Sequence, residues 1–363
     1  MIYLDYQATT PLAPEAFEAM LPWLRDDFAN PHSAHAPGRK AKAAVEVARA
    51  DVAALLPAGG ELAFTGSATE ALNWAIQGSE GPIVTIATEH AAVLDSAESE
   101  ARRGRAVTVL PVAGDGLVDL DAARAAIVPG TGLVAAMLVN NEIGTIQPIA
   151  ALADIAHAAG ALLLCDAVQG FGRVAIPEGC DMVAISAHKI HGPKGIGALW
   201  MRKGISLAPL LHGGGQEPGG RSGTLSPALC AGFGAAARLA NTRFDTDRAH
   251  VEQLFRAACA RLGSEWSVNG SIDARYHGNL NLHRTGLDVA RLMSELRTIA
   301  FSAGSACASG SGRPSHVLRA LGLSDAEARC SIRLGFGRYT RQDELLDALV
   351  RIDAAARAQK VAA

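Results

Sequence analysis

The sequence predicts an α/β protein: a mainly parallel sheet covered on both faces in a large domain, joined to a smaller α+β domain. Two observations carry this. Between residues 61 and 240, short β-rich runs alternate with helical stretches, the rhythm of parallel strands linked by crossover helices. After the glycine-rich run HGGGQEPGGRSGT (212–224), that rhythm gives way to longer helices and sparser strands. The expected boundaries are 13–245 for the large domain, with 1–12 and 246–363 forming the small one.

The elements follow in order. LAFTG leads into SATEALNWAIQG, and PIVTIAT into HAAVLDSAESEARRG. AVTVLP, the helix-like DLDAARAAI, LVAAMLV, IAALADIAHAAG and ALLLCDAVQ continue the alternation, and DMVAISAHK and GALWMRKG supply further strands. The second part has helices SPALCAGFGAAARLAN and RAHVEQLFRAACARLG, strands near NLNLHR and CSIRLGFGR, and helical LDVARLMSELR and QDELLDALVRIDAAARAQ.

Composition excludes several classes. With 49% hydrophobic and 19% charged residues, the chain reads as globular and not disordered. A net charge of −3 gives no strong attraction to nucleic acid or anionic membrane. No apolar run reaches the ~20 residues that span a bilayer. The start, MIYLDYQATTP, lacks a basic segment followed by a hydrophobic one, so a cytoplasmic protein is expected. The six cysteines, at 165, 180, 230, 259, 307 and 330, form no CxxC pair. Reduced thiols are expected, with neither a disulfide framework nor a metal site.

In parallel sheets the ligand lies beyond the carboxyl ends of the strands, so polar residues there carry the functional reading. At AFTGSATEALN, a strand turns at Gly66 into a helix whose first N–H groups at Ala68 and Thr69 suit a phosphate. Ser67 and Glu70 equally fit a capping box that needs no ligand. Asp166 closes the apolar run LLLCD, where a carboxylate needs a partner. A protonated pyridine nitrogen would serve, as would an arginine. In ISAHKIHGPKG, Ser186, His188 and Lys189 follow a strand directly. A partly desolvated lysine there can form an imine with an aldehyde, while Ser186 and His188 offer hydrogen bonds to a phosphate. His188 and His191 lack a second cluster of metal ligands, and no P-loop ending is present.

Cys307 poses a separate question, because FSAGSACASGSG surrounds a thiol with glycine, serine and alanine instead of a core.

The set LDYQATTP, TGSATEALN, TEHAAVLD, NNEIGTIQP, DAVQGFG, SAHKIHGPKGIGAL, GGGQEPGGRSGT, GSACAS and SIRLGFGRYT resembles the pyridoxal-phosphate-dependent cysteine desulfurases, in the family's order from residue 2 to about 340. The resemblance implies a fold-type I pyridoxal-phosphate transferase with a seven-stranded sheet. It implies that Lys189 holds pyridoxal phosphate covalently and later moves the substrate's α-proton. Asp166 would pair with the pyridinium nitrogen, His90 would stack on the ring and assist proton transfers, and Asn141 and Gln169 would hydrogen-bond near the phenolic oxygen. The phosphate would be held by the backbone at Ala68 and Thr69 with the side chains of Thr69, Ser186 and His188. Thr224 would reach the phosphate of the other subunit of a homodimer.

By the same resemblance, Arg333 would clamp the carboxylate of L-cysteine, and Asn30 would approach the substrate. Cys307 would take the substrate's sulfur as a persulfide and leave alanine; its longer loop implies delivery to an iron–sulfur scaffold or a sulfur carrier. Pro218, Gly220 and Gln7 depart from the family pattern, and are expected to touch the dimer-side wall without touching the cofactor contacts. A selenocysteine lyase or other class V aminotransferase-like enzyme is the alternative, for which Cys307 discriminates. A non-catalytic homologue would be expected to have lost Lys189, Asp166 or Cys307.

Overall fold

A computed structural model describes residues 1–304 and 314–359. Its strands are β1 (Ile2–Tyr3), β2 (Gly60–Thr65), β3 (Ile83–Ile86), β4 (Val107–Leu110), β5 (Leu133–Met137), β6 (Leu162–Asp166) and β7 (Met182–Ser186). They continue with β8 (Gly197–Arg202), β9 (Ser267–Val268), β10 (Asn279–His283), β11 (Ile299–Ala300), β12 (Ser302–Ala303) and β13 (Ser331–Gly335).

The main sheet has seven strands in the order β2-β8-β7-β6-β5-β3-β4. Pairings among β3 to β7 are parallel, and β8 runs antiparallel to β7 and β2. Alternate residues enter opposite cores, as the two-residue period of a strand dictates. Phe64, Val134, Leu163, Cys165 and Val183 pack on one face with Phe171 and Phe233. Ala63, Leu133, Leu164 and Ala184 pack on the other with Leu72 and Trp74. A sheet buried on both faces explains why its strands read as continuous apolar runs.

The order reverses between β3 and β5, because the chain steps outward from β3 to β4 and then returns to lay β5 on the other side. Ligands of open α/β sheets bind at such a switch point, and the segments leaving β3 and β5 carry His90 and Asn141.

A four-stranded sheet, β12-β13-β10-β9, packs against helices Phe244–Arg261 and Gln342–Gln359 through a separate core of Leu254, Leu280, Leu282, Ile332, Leu334 and Leu349. The N-terminus joins this core through Leu4, and β1 pairs with β11. Residues 10–13 instead tie to the turn after β7, with Thr10 N–H donating to His188 O (3.0 Å) and Ala13 N–H to His191 O (2.9 Å). Among the described residues, no helix is long and apolar enough to cross a membrane.

The glycine-rich run is pinned to the main sheet by Glu217. Its carboxylate accepts two bonds from Arg49 (2.7 and 2.8 Å) and one from Phe64 N–H (2.6 Å). Burying this carboxylate is tolerable only because its oxygens are so fully used.

Candidate active site

Beyond the carboxyl ends of β5, β6 and β7 lies a cavity of about 370 Å³. Ala68, Thr69, His90, Asn141, Asp166, Gln169, Ser186, His188, Lys189 and Arg333 all line it. Residues separated by up to 265 positions thus converge: Asp166 and Ser186 end strands, His90, Ala68 and Thr69 open helices, Asn141, Gln169, His188 and Lys189 lie in the turns that follow strands, and Arg333 reaches in from the middle of β13.

Asp166 is the last residue of β6 and is 5% exposed. Burial raises its pKa; the Val168 N–H bonded to Oδ1 (3.0 Å) and the nearby charges of His90 and Lys189 oppose that rise. A carboxylate so placed is primed for a cationic partner in the cavity. Lys189 ends the short turn Ala187–Lys189 that follows β7. Its Nζ donates to Ala8 O (2.9 Å) and to Gln7 O, so the amine is oriented by backbone dipoles.

His90 caps helix Ala91–Arg102, its Nδ1 accepting from Ala92 N–H (3.1 Å). A neutral ring therefore carries its proton on Nε2. Beneath it, Glu89 is fully buried; its Oε1 accepts from Met137 N–H (2.6 Å) and its Oε2 has no hydrogen-bond partner among the described residues. Burial and the neighbouring Asp166 push this carboxyl well above the usual range.

At the other end, helix Ala68–Gly78 opens onto the cavity. Ser67 Oγ accepts from Glu70 N–H (3.2 Å), so the cap is real. It does not compete with an anion, because the N–H groups of Ala68 and Thr69 still lack carbonyl partners one turn back. Gly197 of β8 makes this approach possible: a Cβ there would lie 2.6 Å from Ser67 C and 2.7 Å from Ala68 N. Ser186 is buried at the end of β7, and His188 Nδ1 meets Thr9 Oγ1 at 3.1 Å.

Arg333 departs from the surface arginine that a strand edge would suggest. It sits inside the small sheet, opposite Asn281 and Ser302, and is 1% exposed. Nη2 pairs with Asp5 (2.8 Å), Nη1 donates to Asn141 O (3.0 Å), and Nε has no partner among the described residues. A buried guanidinium with an unused N–H on a cavity wall can still take a carboxylate oxygen.

One sequence expectation falls elsewhere, and one concerns the other subunit's site. Asn30 is exposed and does not line this cavity; its Oδ1 accepts from His32 N–H (2.9 Å) in a local turn. Thr224 is also exposed and off the cavity wall of its own chain. Cys307 lies outside the described residues. The chain on either side of it is anchored at the cavity: Ser302 of β12 contacts Arg333 (3.4 Å), and His316 Nε2 bonds Glu89 O (2.8 Å).

Gln7 requires a correction. It was expected to stay clear of the cofactor contacts, yet its carbonyl receives both Lys189 Nζ and Gln169 Nε2 (2.9 Å), and it lines the cavity. The reason is positional: Nε2 donates to Gly278 O (2.8 Å), fastening the N-terminal segment across the site. Arg173 was missed altogether. It donates to Gln169 Oε1 (3.1 Å) and to Lys189 O, steadying two site residues from behind. Its position four residues after Gln169 was the available signal.

The imidazoles of this region predict an acid sensitivity. Burial, and then the charges of neighbouring Lys189 and Lys194, lower His188 to about 4. Burial lowers His191 to about 3. In the unfolded chain both take a proton below about 6.5. Between those values the unfolded state binds more protons, so stability falls as pH drops from 6.5 towards 4. Thermal melts of wild type and His191→Gln across that window test this: the variant should lose part of the slope, and an unchanged slope would exclude His191 as a contributor.

Comparison with known proteins follows the same lines. Residues 2–349 match the family model described as Aminotransferase class-V. A curated relative, "Cysteine desulfurase IscS" of Rickettsia bellii (strain OSU 85-389), is 44% identical over 95% of this chain and 88% of its own length. Among solved structures, a NifS-like protein from Rickettsia africae ESF-5 superposes with a TM-score of 0.90 at 30% identity, covering 98% of this chain and 99% of the other. "SspA in complex with cysteine" superposes with a TM-score of 0.84 at 36% identity, covering 94% and 100%.

Proposed function

We infer from this chain's membership of the class-V aminotransferase family, and from its likeness to cysteine desulfurases, that it is a pyridoxal-phosphate-dependent cysteine desulfurase. The observation that carries the reading is the convergence of Lys189, Asp166 and His90 with a free helix N-terminus on one cavity. Those groups fit pyridoxal phosphate one for one: an amine for its aldehyde, a buried carboxylate for its pyridinium, a flat ring for its face, and N–H groups for its phosphate. When bound, the cofactor supplies an electron sink beside the substrate's α-carbon.

The residues divide the remaining work. Lys189 holds the cofactor and moves the proton at the α-carbon. Asp166 would face the cofactor's ring nitrogen and favour its protonated form, and His90, with its proton on Nε2, would lie against the ring and serve proton transfers there. Asn141 and Gln169 would offer hydrogen bonds to the cofactor's ring oxygen. Ala68, Thr69, Ser186 and His188 hold the phosphate, His188 as a neutral donor. Arg333 orients the substrate carboxylate, and Asp5 holds Arg333 in place.

The Cys307 thiolate attacks the substrate sulfur. The C–S bond breaks, an S–S bond forms, and L-cysteine plus the enzyme thiol become alanine plus an enzyme persulfide. Thr224 reaches the phosphate of the second subunit in a homodimer. Residues 13–245 hold the cofactor, while 1–12 and 246–363 carry the Cys307 segment. A sulfur-acceptor protein, an iron–sulfur scaffold or sulfur carrier, takes the persulfide in the cytoplasm.

The test is alanine formed from L-cysteine with a thiol reductant present. Wild type should produce it and Cys307→Ala should not; equal alanine from both would move the sulfur chemistry away from Cys307. Arg333→Lys should raise KM for L-cysteine by roughly tenfold to a hundredfold, the worth of a charge-assisted hydrogen bond, with a smaller effect on kcat. An unchanged KM would return Arg333 to a purely structural ion pair with Asp5.

A further inference from the structure

A second cavity, of about 420 Å³, lies between the main-sheet core and the small core and takes no part in the chemistry above. Its apolar wall is formed by Ile190, Ala240, Phe244 and Val251. Its polar wall holds two arginines, one with an unused N–H and one with no carboxylate partner among the described residues. Arg338 has a side chain 6% exposed; Nε is spent on Asp247 (2.7 Å), while Nη1 is buried without a hydrogen-bond partner among the described residues. Arg275 is 4% exposed and donates only to backbone carbonyls, of Asn279 (3.3 Å), Ser271 (2.6 Å) and Asn269 (3.0 Å).

The cavity's own acids do not cancel this charge. Asp247 is shared between Arg338 and Arg243 (3.1 Å), and Glu252 is taken by Arg256 (2.6 Å) and His277. Asp273 is exposed. His191, at φ +70° on the wall, is held by Pro11 O (2.9 Å) and is neutral near pH 7, since burial lowers it to about 3. A buried cation without a carboxylate, beside a buried N–H without an acceptor, is costly unless an anion completes the pair. Ligand cavities of this size combine an apolar body with a few convergent polar groups.

We propose that this cavity is a second binding site, for a small carboxylate with an apolar chain, whose head is met by Arg338 and Arg275 and whose chain lies on Phe244 and Val251. The negative head supplies the acceptor that Arg338 lacks. An uncharged ligand of the same shape would leave that N–H unsatisfied.

Calorimetric titration of the holoenzyme with hexanoate tests this, with hexan-1-ol as the uncharged control. Hexanoate should bind at least tenfold more tightly than hexan-1-ol. Binding should weaken at least tenfold in Arg338→Gln and disappear in Ala175→Trp, which closes the mouth from an exposed wall position. Arg333→Lys should leave binding unchanged, which separates this site from the reaction cavity. Binding that survives both Arg338→Gln and Ala175→Trp, binding lost in Arg333→Lys, or no measurable heat in wild type would each overturn the proposal. Should Arg338→Gln fail the circular-dichroism check for folding, Ala175→Trp alone decides.

Discussion

Replacing Lys189 by alanine is expected to abolish the visible absorbance of bound cofactor and to cut alanine formation from L-cysteine by at least about 10³-fold. Both effects follow from one amine doing two tasks, covalent attachment and proton transfer at the α-carbon, and proton transfer alone contributes about 10²–10⁴-fold. Among the described residues no other lysine lines the cavity to substitute for it. The fold should survive, because the side chain donates to the carbonyls of Gln7 and Ala8, which gain access to water once the amine is gone. Absorbance spectra of wild type and variant purified with added cofactor give the readout. A variant that keeps the wild-type visible band would remove Lys189 from the mechanism.

The second large effect is expected for Asp166→Asn. Asparagine keeps the shape and can still accept from Val168 N–H, so the change isolates the charge. Losing one preorganised charge opposite the ring nitrogen should lower kcat by about 10²–10³-fold. Stability of the cofactor-free protein should move the other way or not at all. Burial raises the Asp166 pKa, so its ionised form is held at a cost above the usual carboxylate range, and the neutral amide relieves that cost. A marked fall in Tm together with unchanged kcat would make Asp166 a structural residue.

Much of this site was legible because its residues sit where periodic patterns stop. Asp166 and Lys189 are polar residues directly after apolar runs, and His90 follows PIVTIAT at the start of a helix. The two readings of Ser67 do not exclude each other: its hydroxyl caps Glu70 N–H, while the Glu70 carboxylate turns to Gly66 N–H instead of closing a capping box. What escaped was contact across long sequence separations. Gln7 reaches Gly278, Gln169 and Lys189 through turns that carry no hydrophobic period. Arg333 is buried because β13 lies between β10 and β12, a register set by non-local pairing that its own sequence does not encode. The Asp5–Arg333 pair joins the first residues to the last strand for the same reason.

The central claim, sulfur transfer to Cys307, is tested most directly by finding the persulfide. Among the described cysteines, Cys165, Cys180 and Cys230 are buried, whereas Cys259 and Cys330 are half-buried. A hydrogen bond with Cys180 and burial push the Cys165 thiol up, burial pushes Cys230 up to about 12, and burial also raises Cys259. Thiols with raised pKa are poor nucleophiles near neutrality. The holoenzyme would be mixed with L-cysteine, alkylated at once, and its peptides weighed by mass spectrometry. The account predicts one extra sulfur atom on the Cys307 peptide and none elsewhere; an extra sulfur on another cysteine, or on none while alanine accumulates, would contradict it.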